Sequence, residues 1–228
     1  MEALLSVSVL LRPLVDGPTR TLLCVDRAPS AWQLTDDSGR VVCAIATPDA
    51  IMLPHALTVD TLPRPRTELR IGAGGLHVAN RSYRPHRWVT PPRPRLTDIR
   101  VAGSVAQQFA AHWSDRLGLG PGLTPYHDDV LCGVLVVLAA TGVAPDLRAS
   151  VAASDLEQRT TAPSAALIRL ACDGWCITPV ADHLQRLAAG VDDPQTRDRL
   201  LAVGHTSGHG LLAGMTTVLA VRPAEVAA

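Results

Sequence analysis

The chain has 228 residues, 47% of them hydrophobic, and its acidic and basic residues balance to a formal net charge of zero. That is enough apolar material for one large domain or two small ones without disulfide or metal staples, and the missing charge excess argues against a general nucleic-acid or membrane-surface binder. All 21 basic residues are arginine, so neither a Schiff-base lysine nor a phosphate-loop lysine is available.

In chain order, the N-terminus shows no basic segment followed by a long apolar run, so no secretory signal is expected. Residues 1–96 read as a β-rich domain. Thr21 to Val25, Ala31 to Thr35 and Val41 to Ala46 are short β-branched or apolar runs, and Asp36-Asp37-Ser38-Gly39 suits a hairpin turn between the last two. Leu69 to Ile71 and Leu76 to Ala79 flank a second turn, Gly72-Ala73-Gly74-Gly75. Antiparallel sheet is the expected outcome. Arg84 to Leu96 is rich in proline and arginine and reads as an extended connector, without the interleaved aromatics of a nucleic-acid module.

Residues 97–228 read as a helical domain, which makes the whole chain α+β. Asp98 can cap a helix to about Leu117. Thr124-Pro125 opens a helix with proline at its first position, and Gly142 ends it. Thr161 or Ala162 opens a third helix, to about Asp173. A fourth spans Val180 to Ala189, and Asp193-Pro194 begins a fifth that ends near Gly204. Ser207 can cap a last helix reaching Val221. The most apolar stretch, Val130 to Ala140, is too short to span a bilayer. Cys24, Cys43, Cys132, Cys172 and Cys176 form no C-x-x-C pair; core packing is expected for them, with Cys172 and Cys176 on one helix face. A reducing cytosol is the expected compartment.

Three segments carry chemistry. Gly118-Leu119-Gly120-Pro121-Gly122-Leu123-Thr124-Pro125 places glycines at alternate positions ahead of a helix start, where backbone N–H groups and the helix dipole favour an anion. A tight helix-to-helix connection would use the same residues. Asp128 and Asp129 follow in or near the first turn. One complements the dipole, but two carboxylates beside an anion site ask for a cation, a metal or a ligand N–H donor. A ligand with both an anionic oxygen and an amide fits that mixture.

Gly204-His205-Thr206-Ser207-Gly208-His209-Gly210 again brings small residues to a helix start. His205 and His209 are four residues apart and, with His127 and an aspartate, could form a metal site; otherwise His205 donates to backbone. No cofactor is implied by the motifs beyond that metal alternative. Arg159-Thr160-Thr161-Ala162-Pro163-Ser164 offers a guanidinium for a carboxylate or phosphate, with hydroxyls from Thr160 and Ser164, or a capping segment with a surface arginine. Ser207 lacks the G-x-S-x-G elbow of a serine hydrolase.

Together, GLGPGLTPYHDD (118–129), RTTAPS (159–164) and GHTSGHGLLA (204–213) resemble, in order and spacing, the family that includes a subunit of bacterial oxamate carbamoyltransferase from allantoin catabolism, a branch of purine degradation. The resemblance covers most of the helical half and only loosely the β half. It implies carbamoyl chemistry, in which oxalurate is phosphorolysed to oxamate and carbamoyl phosphate with other subunits required. It further implies that the Gly120 and Gly122 backbone and Thr124 hold an anionic group, and that Asp128 or Asp129 accepts from an N–H. Arg159 then neutralises a carboxylate or oxyanion, and Thr206 and Ser207, beside Gly208, donate hydroxyls.

The chain departs from the family pattern at Tyr126-His127 and His209-Gly210, each time introducing a histidine, a side chain suited to proton transfer near neutral pH. The expected function is therefore an enzyme, or enzyme subunit, acting on a small carbamoyl or ureido substrate such as carbamoyl phosphate or a ureido acid. Partner subunits or a homo-oligomer accompany that reading. A non-catalytic subunit and a histidine-dependent, metal-assisted lyase or hydrolase are the alternatives.

Overall fold

The computed structural model describes residues 5–97, 100–101, 109 and 111–220. The chain divides into two compact units, Met1–Pro91 and Pro92–Ala228.

The first unit is a nine-stranded sheet: β1 (Ser6–Ser8), β2 (Arg20–Arg27), β3 (Ala31–Thr35), β4 (Val41–Ala46), β5 (Ala56–Thr58), β6 (Leu69–Gly72), β7 (Gly75–Val78), β8 (Arg81–Tyr83) and β9 (Arg87–Val89). Its spatial order is β8-β7-β6-β2-β3-β4-β5-β1-β9. Neighbours run antiparallel except β4 with β5 and β1 with β9. Both hairpins form where the turn residues predict. Asp36 accepts the Ser38 N–H at 3.0 Å between β3 and β4. Between β6 and β7 the backbone holds positive φ at Gly72, Ala73 and Gly74. The core is apolar: Leu34, Ile45, Leu57, Ile71 and Leu76 are fully buried. A short helix, α1 (Arg12–Asp16), packs on β6 and β7.

The connector expected over Arg84 to Leu96 is only partly one. Arg87 to Val89 add to the sheet edge as β9, with Ser6 opposite Arg87 and Ser8 opposite Val89. From Pro92 on the segment lies within the second unit, where the Pro92 carbonyl accepts from the Cys176 N–H at 3.1 Å and Arg93 Nε donates to the Asp173 carbonyl at 2.7 Å. The Arg93 guanidinium also lies 5.0 Å from the Trp175 ring centroid.

The second unit is built on α2 (Tyr126–Thr141), α3 (Pro145–Ala153), α4 (Ala162–Cys172), α5 (Thr178–Ala188), α6 (Pro194–Leu201) and α7 (Ser207–Val218), with a two-stranded ribbon of β10 (Arg100–Val101) and β11 (Leu219–Ala220). Helix α2 is its axis. Residues Leu131 to Leu138 are buried on every side, as befits a helix apolar all round. Helices α4 and α7 pack against it. Contact with α7 is close because it is made by glycines. A Cβ on Gly214 would stand 2.0 Å from the Val130 carbonyl oxygen, and one on Gly133 would stand 2.2 Å from that of Leu211.

Several helix boundaries differ from expectation. The Asp98 cap lies outside the described residues, and the helix expected to reach Leu117 has given way to turns by 113–118. Three successive i to i−3 bonds bend the chain there, delivering Gly118 so close to the Arg159 carbonyl that a Cβ would sit 2.2 Å from its oxygen. Pro125 is the cap residue and not the first helical one. Ser207 is the first residue of α7, with Thr206 at the cap position. Helix α3 was not anticipated. Its start, at Ala144 with φ 49°, carries no capping side chain for a sequence reading to find. Helices α5 and α6 begin at Thr178 and Pro194 and end at Ala188 and Leu201. Cys172 ends α4, so Cys176 lies beyond the helix. All five thiols are free, and four are buried. Burial pushes Cys43, Cys172 and Cys176 up to about 12, which leaves them inert packing groups. Among the described residues no helix is long and apolar enough to cross a membrane.

Candidate functional site

The glycine loop 118–124, the segment 159–164 and the start of α7 converge on the first turn of α2. Asp128 and Asp129 stand at that junction, both buried. Their side chains are treated in opposite ways.

Asp128 is fully engaged. One oxygen accepts the Gly118 N–H at 2.7 Å. The other accepts the Ser164 hydroxyl at 2.6 Å and the Thr160 hydroxyl. The carboxylate therefore ties three segments together: the loop, the RTTAPS stretch and α2 itself. Next to it, Thr161 caps α4 by accepting the Ser164 N–H at 3.2 Å, and its hydroxyl donates to the Leu123 carbonyl at the far end of the loop. The loop is held at both ends by one segment.

Asp129 is not. The Ser207 and Thr124 hydroxyls stand near enough to its carboxyl to favour the ionised form, yet Oδ2 is buried without a partner. Thr124 and Ser207 also bond each other, Oγ1 to Oγ at 3.0 Å. Behind the carboxyl stands Gly210, where a Cβ would come within 2.7 Å of the Asp129 Cβ. Burial is the main force on its proton, pushing the carboxyl up to about 7. The Ser207 and Thr124 hydroxyls pull it down, and the neighbouring Asp128 charge adds to the rise. A carboxyl poised near neutrality with an unused buried oxygen is an arrangement that folding alone does not require.

Two helix starts border this carboxyl, and neither α2 nor α7 has a side-chain cap. The Thr124 and Ser207 hydroxyls at these starts bond each other. Gly120 has φ 125° and packs tightly on the α2 start, a Cβ there standing 3.0 Å from the Tyr126 nitrogen. Gly122 has φ 95° with open space around it.

The other expected residues lie at different depths. Thr160 and Ser164 are spent on Asp128. Arg159 is exposed and donates to the Ser114 carbonyl at 2.6 Å. Tyr126 and His127 are half-buried and meet edge to face at 5.5 Å between ring centroids. His205, Thr206 and His209 are exposed. Gly208 serves packing, since a Cβ would stand 2.0 Å from the Leu200 carbonyl oxygen. Among the described residues no group of three histidine, cysteine or acidic side chains is placed to hold a metal. Sequence reasoning placed Gly118, Thr161 and Gly210 within its three motifs but assigned none of them to the site. Gly210 and Gly214 opposite Gly133 form a small-residue seam whose spacing is the signal that was there to be read.

These features define an α+β protein whose helical unit gathers two helix starts and two hydroxyls around one buried, half-satisfied carboxyl. Residues 116–219, which include all three motifs and the whole of this junction, match the family model described as oxamate carbamoyltransferase subunit AllH. No solved structure matches the chain.

Proposed function

We propose that the chain is a subunit of a carbamoyl-transferring enzyme and that the junction around Asp129 holds the carbamoyl or ureido group of the substrate. The observation that carries this reading is the unpartnered Oδ2 of Asp129, a buried acceptor beside two hydroxyls. An N–H of the carbamoyl group supplies the missing partner. Thr124 and Ser207 give up their mutual hydrogen bond to admit it, and one of their hydroxyls then serves the carbamoyl oxygen. The starts of α2 and α7, uncapped by side chains, favour the anionic part of the substrate. A guanidinium carries five N–H donors, so Arg159 can serve a carboxylate beyond its bond to Ser114.

Phosphorolysis of a ureido acid breaks the bond between the carbamoyl carbon and the internal nitrogen, the one that carries the acid, and forms one from that carbon to a phosphate oxygen. The departing nitrogen gains the proton that phosphate loses. His127, His205 and His209 are the proton-transfer groups on this reading, and Asp128 shapes the site. The family description is that of a subunit, which supports a partner in the working enzyme. Leu119 and Leu123, 53% and 42% exposed on the glycine loop, favour a surface that such a partner covers.

Titration calorimetry with carbamoyl phosphate and with a ureido acid tests the reading. Wild-type chain, with any partner subunit present, is expected to bind at least one of them, and Asp129→Ala to bind neither. Equal binding by wild type and Asp129→Ala would remove the site from consideration.

A further inference from the structure

The shape of the Asp129 environment says more about the ligand than that it carries an N–H. Around this carboxyl the neighbours named by geometry and charge are Thr124 from the loop, Ser207 and Gly210 from α7, and Asp128 and the Cys132 thiol from its own helix. None of these is a cation. The two hydroxyls favour the ionised form of the carboxyl, and Oδ2 is buried with no hydrogen-bond partner.

An ionised carboxylate only accepts, so its natural complement is a pair of N–H donors such as an amidinium or guanidinium. A neutral carboxylic acid offers one O–H and one C=O side by side, the complement of O=C–NH2. We propose that Asp129 reads the carbamoyl group as a neutral acid, donating its O–H to the carbamoyl oxygen and accepting a carbamoyl N–H, so that protonation of this one residue sets the preference for a carbamoyl over an amidino ligand. The proposal rests on the site reading above and deepens it by naming how the group is recognised. Burial beside the like charge of Asp128 keeps the proton on Asp129 up to about pH 7, in agreement with that geometry.

Two probes with the same skeleton separate the forms. N-carbamoylglycine presents a neutral ureido group, and guanidinoacetate presents a cationic guanidino group in its place. Binding of each to the full chain is measured by titration calorimetry at pH 6 and pH 8, for wild type and Asp129→Asn. With a carboxyl near 7, the protonated fraction falls about tenfold between those two pH values. Wild type is therefore expected to lose about tenfold in affinity for N-carbamoylglycine and to gain for guanidinoacetate. Asp129→Asn carries a permanent donor–acceptor pair, so it is expected to bind N-carbamoylglycine alike at both pH values and to reject guanidinoacetate. Wild-type binding of N-carbamoylglycine with no pH dependence, or the same pH dependence in Asp129→Asn, would overturn the neutral-acid reading and leave the site standing. Binding of neither probe by wild type at either pH would overturn both.

Discussion

The hydroxyl oxygens of Thr124 and Ser207 lie 3.0 Å apart although 83 residues separate them in the chain. Each comes from a helix start, Thr124 just ahead of the α2 cap residue Pro125 and Ser207 as the first residue of α7, and neither helix has a side-chain cap. Thr124→Val and Ser207→Ala are each expected to cost about 1 kcal/mol in urea unfolding, and the double variant less than the sum. Ser207→Ala should also raise the Asp129 titration, because the Ser207 hydroxyl is the stronger of the two influences holding it down. Carboxyl titration followed by NMR reads that shift; a downward movement would contradict the assignment.

Asp128 has the opposite role, and its loss has a different signature. Asp128→Ala leaves the Gly118 N–H and the buried Ser164 hydroxyl without their acceptor, together with the Thr160 hydroxyl. Breaking such a buried network costs about 2–4 kcal/mol. Asp129→Asn removes no comparable set of bonds and should unfold at the same urea concentration as wild type or higher at pH 8. If the two variants proved equally destabilised there, the division of labour between these neighbours would be wrong.

The pH dependence of stability has a definite sign. Unfolded, Asp129 releases its proton near pH 4; folded, it keeps the proton to about 7. Between those values the folded state binds the extra proton, so raising the pH favours unfolding by at most about 1.4 kcal/mol per pH unit, and the loss levels off above 7. His55, in the β unit, acts the other way. Burial lowers it from 6.5 to about 4, so the stability it contributes is lost as the pH falls through that window. The two slopes oppose, and wild type alone will not show either cleanly. The difference between wild type and Asp129→Asn, measured by unfolding from pH 4 to 8, isolates the Asp129 contribution and should grow with pH until about 7.

The glycine seam makes a further prediction. Gly214→Ala drives a Cβ to 2.0 Å from the Val130 carbonyl oxygen, backbone that cannot step aside, and should cost at least about 2 kcal/mol by overpacking. Gly122→Ala meets nothing within 4 Å and suffers only its φ of 95°, a penalty of about 1–2 kcal/mol. Thermal unfolding of the two variants should rank them in that order.

Much of this architecture was legible in the residues. Turn chemistry at Asp36 to Gly39 and at Gly72 to Gly75 placed both hairpins, because those residues act within a few positions of themselves. The three motifs were likewise visible, and the structure brings them together around α2. Tertiary contacts were not legible. The bond between Thr124 and Ser207 needs a partner 83 residues away. Arg87 to Val89 looked like linker because proline and arginine surround them, yet β1 supplies the strand partner that makes them β9. The contrast between Asp128 and Asp129 could not be read from two adjacent aspartates; it follows from where Thr160 and Ser164 arrive.

The most direct test of the site is a thermal melt of the full chain with millimolar carbamoyl phosphate, with inorganic phosphate as the control. A ligand that binds only the folded state adds about 2.7 kcal/mol at a hundredfold excess over its dissociation constant. A rise in Tm specific to carbamoyl phosphate, and absent in Asp129→Ala, is the predicted result. No rise, or an equal rise with inorganic phosphate and in Asp129→Ala, would contradict a carbamoyl site at Asp129.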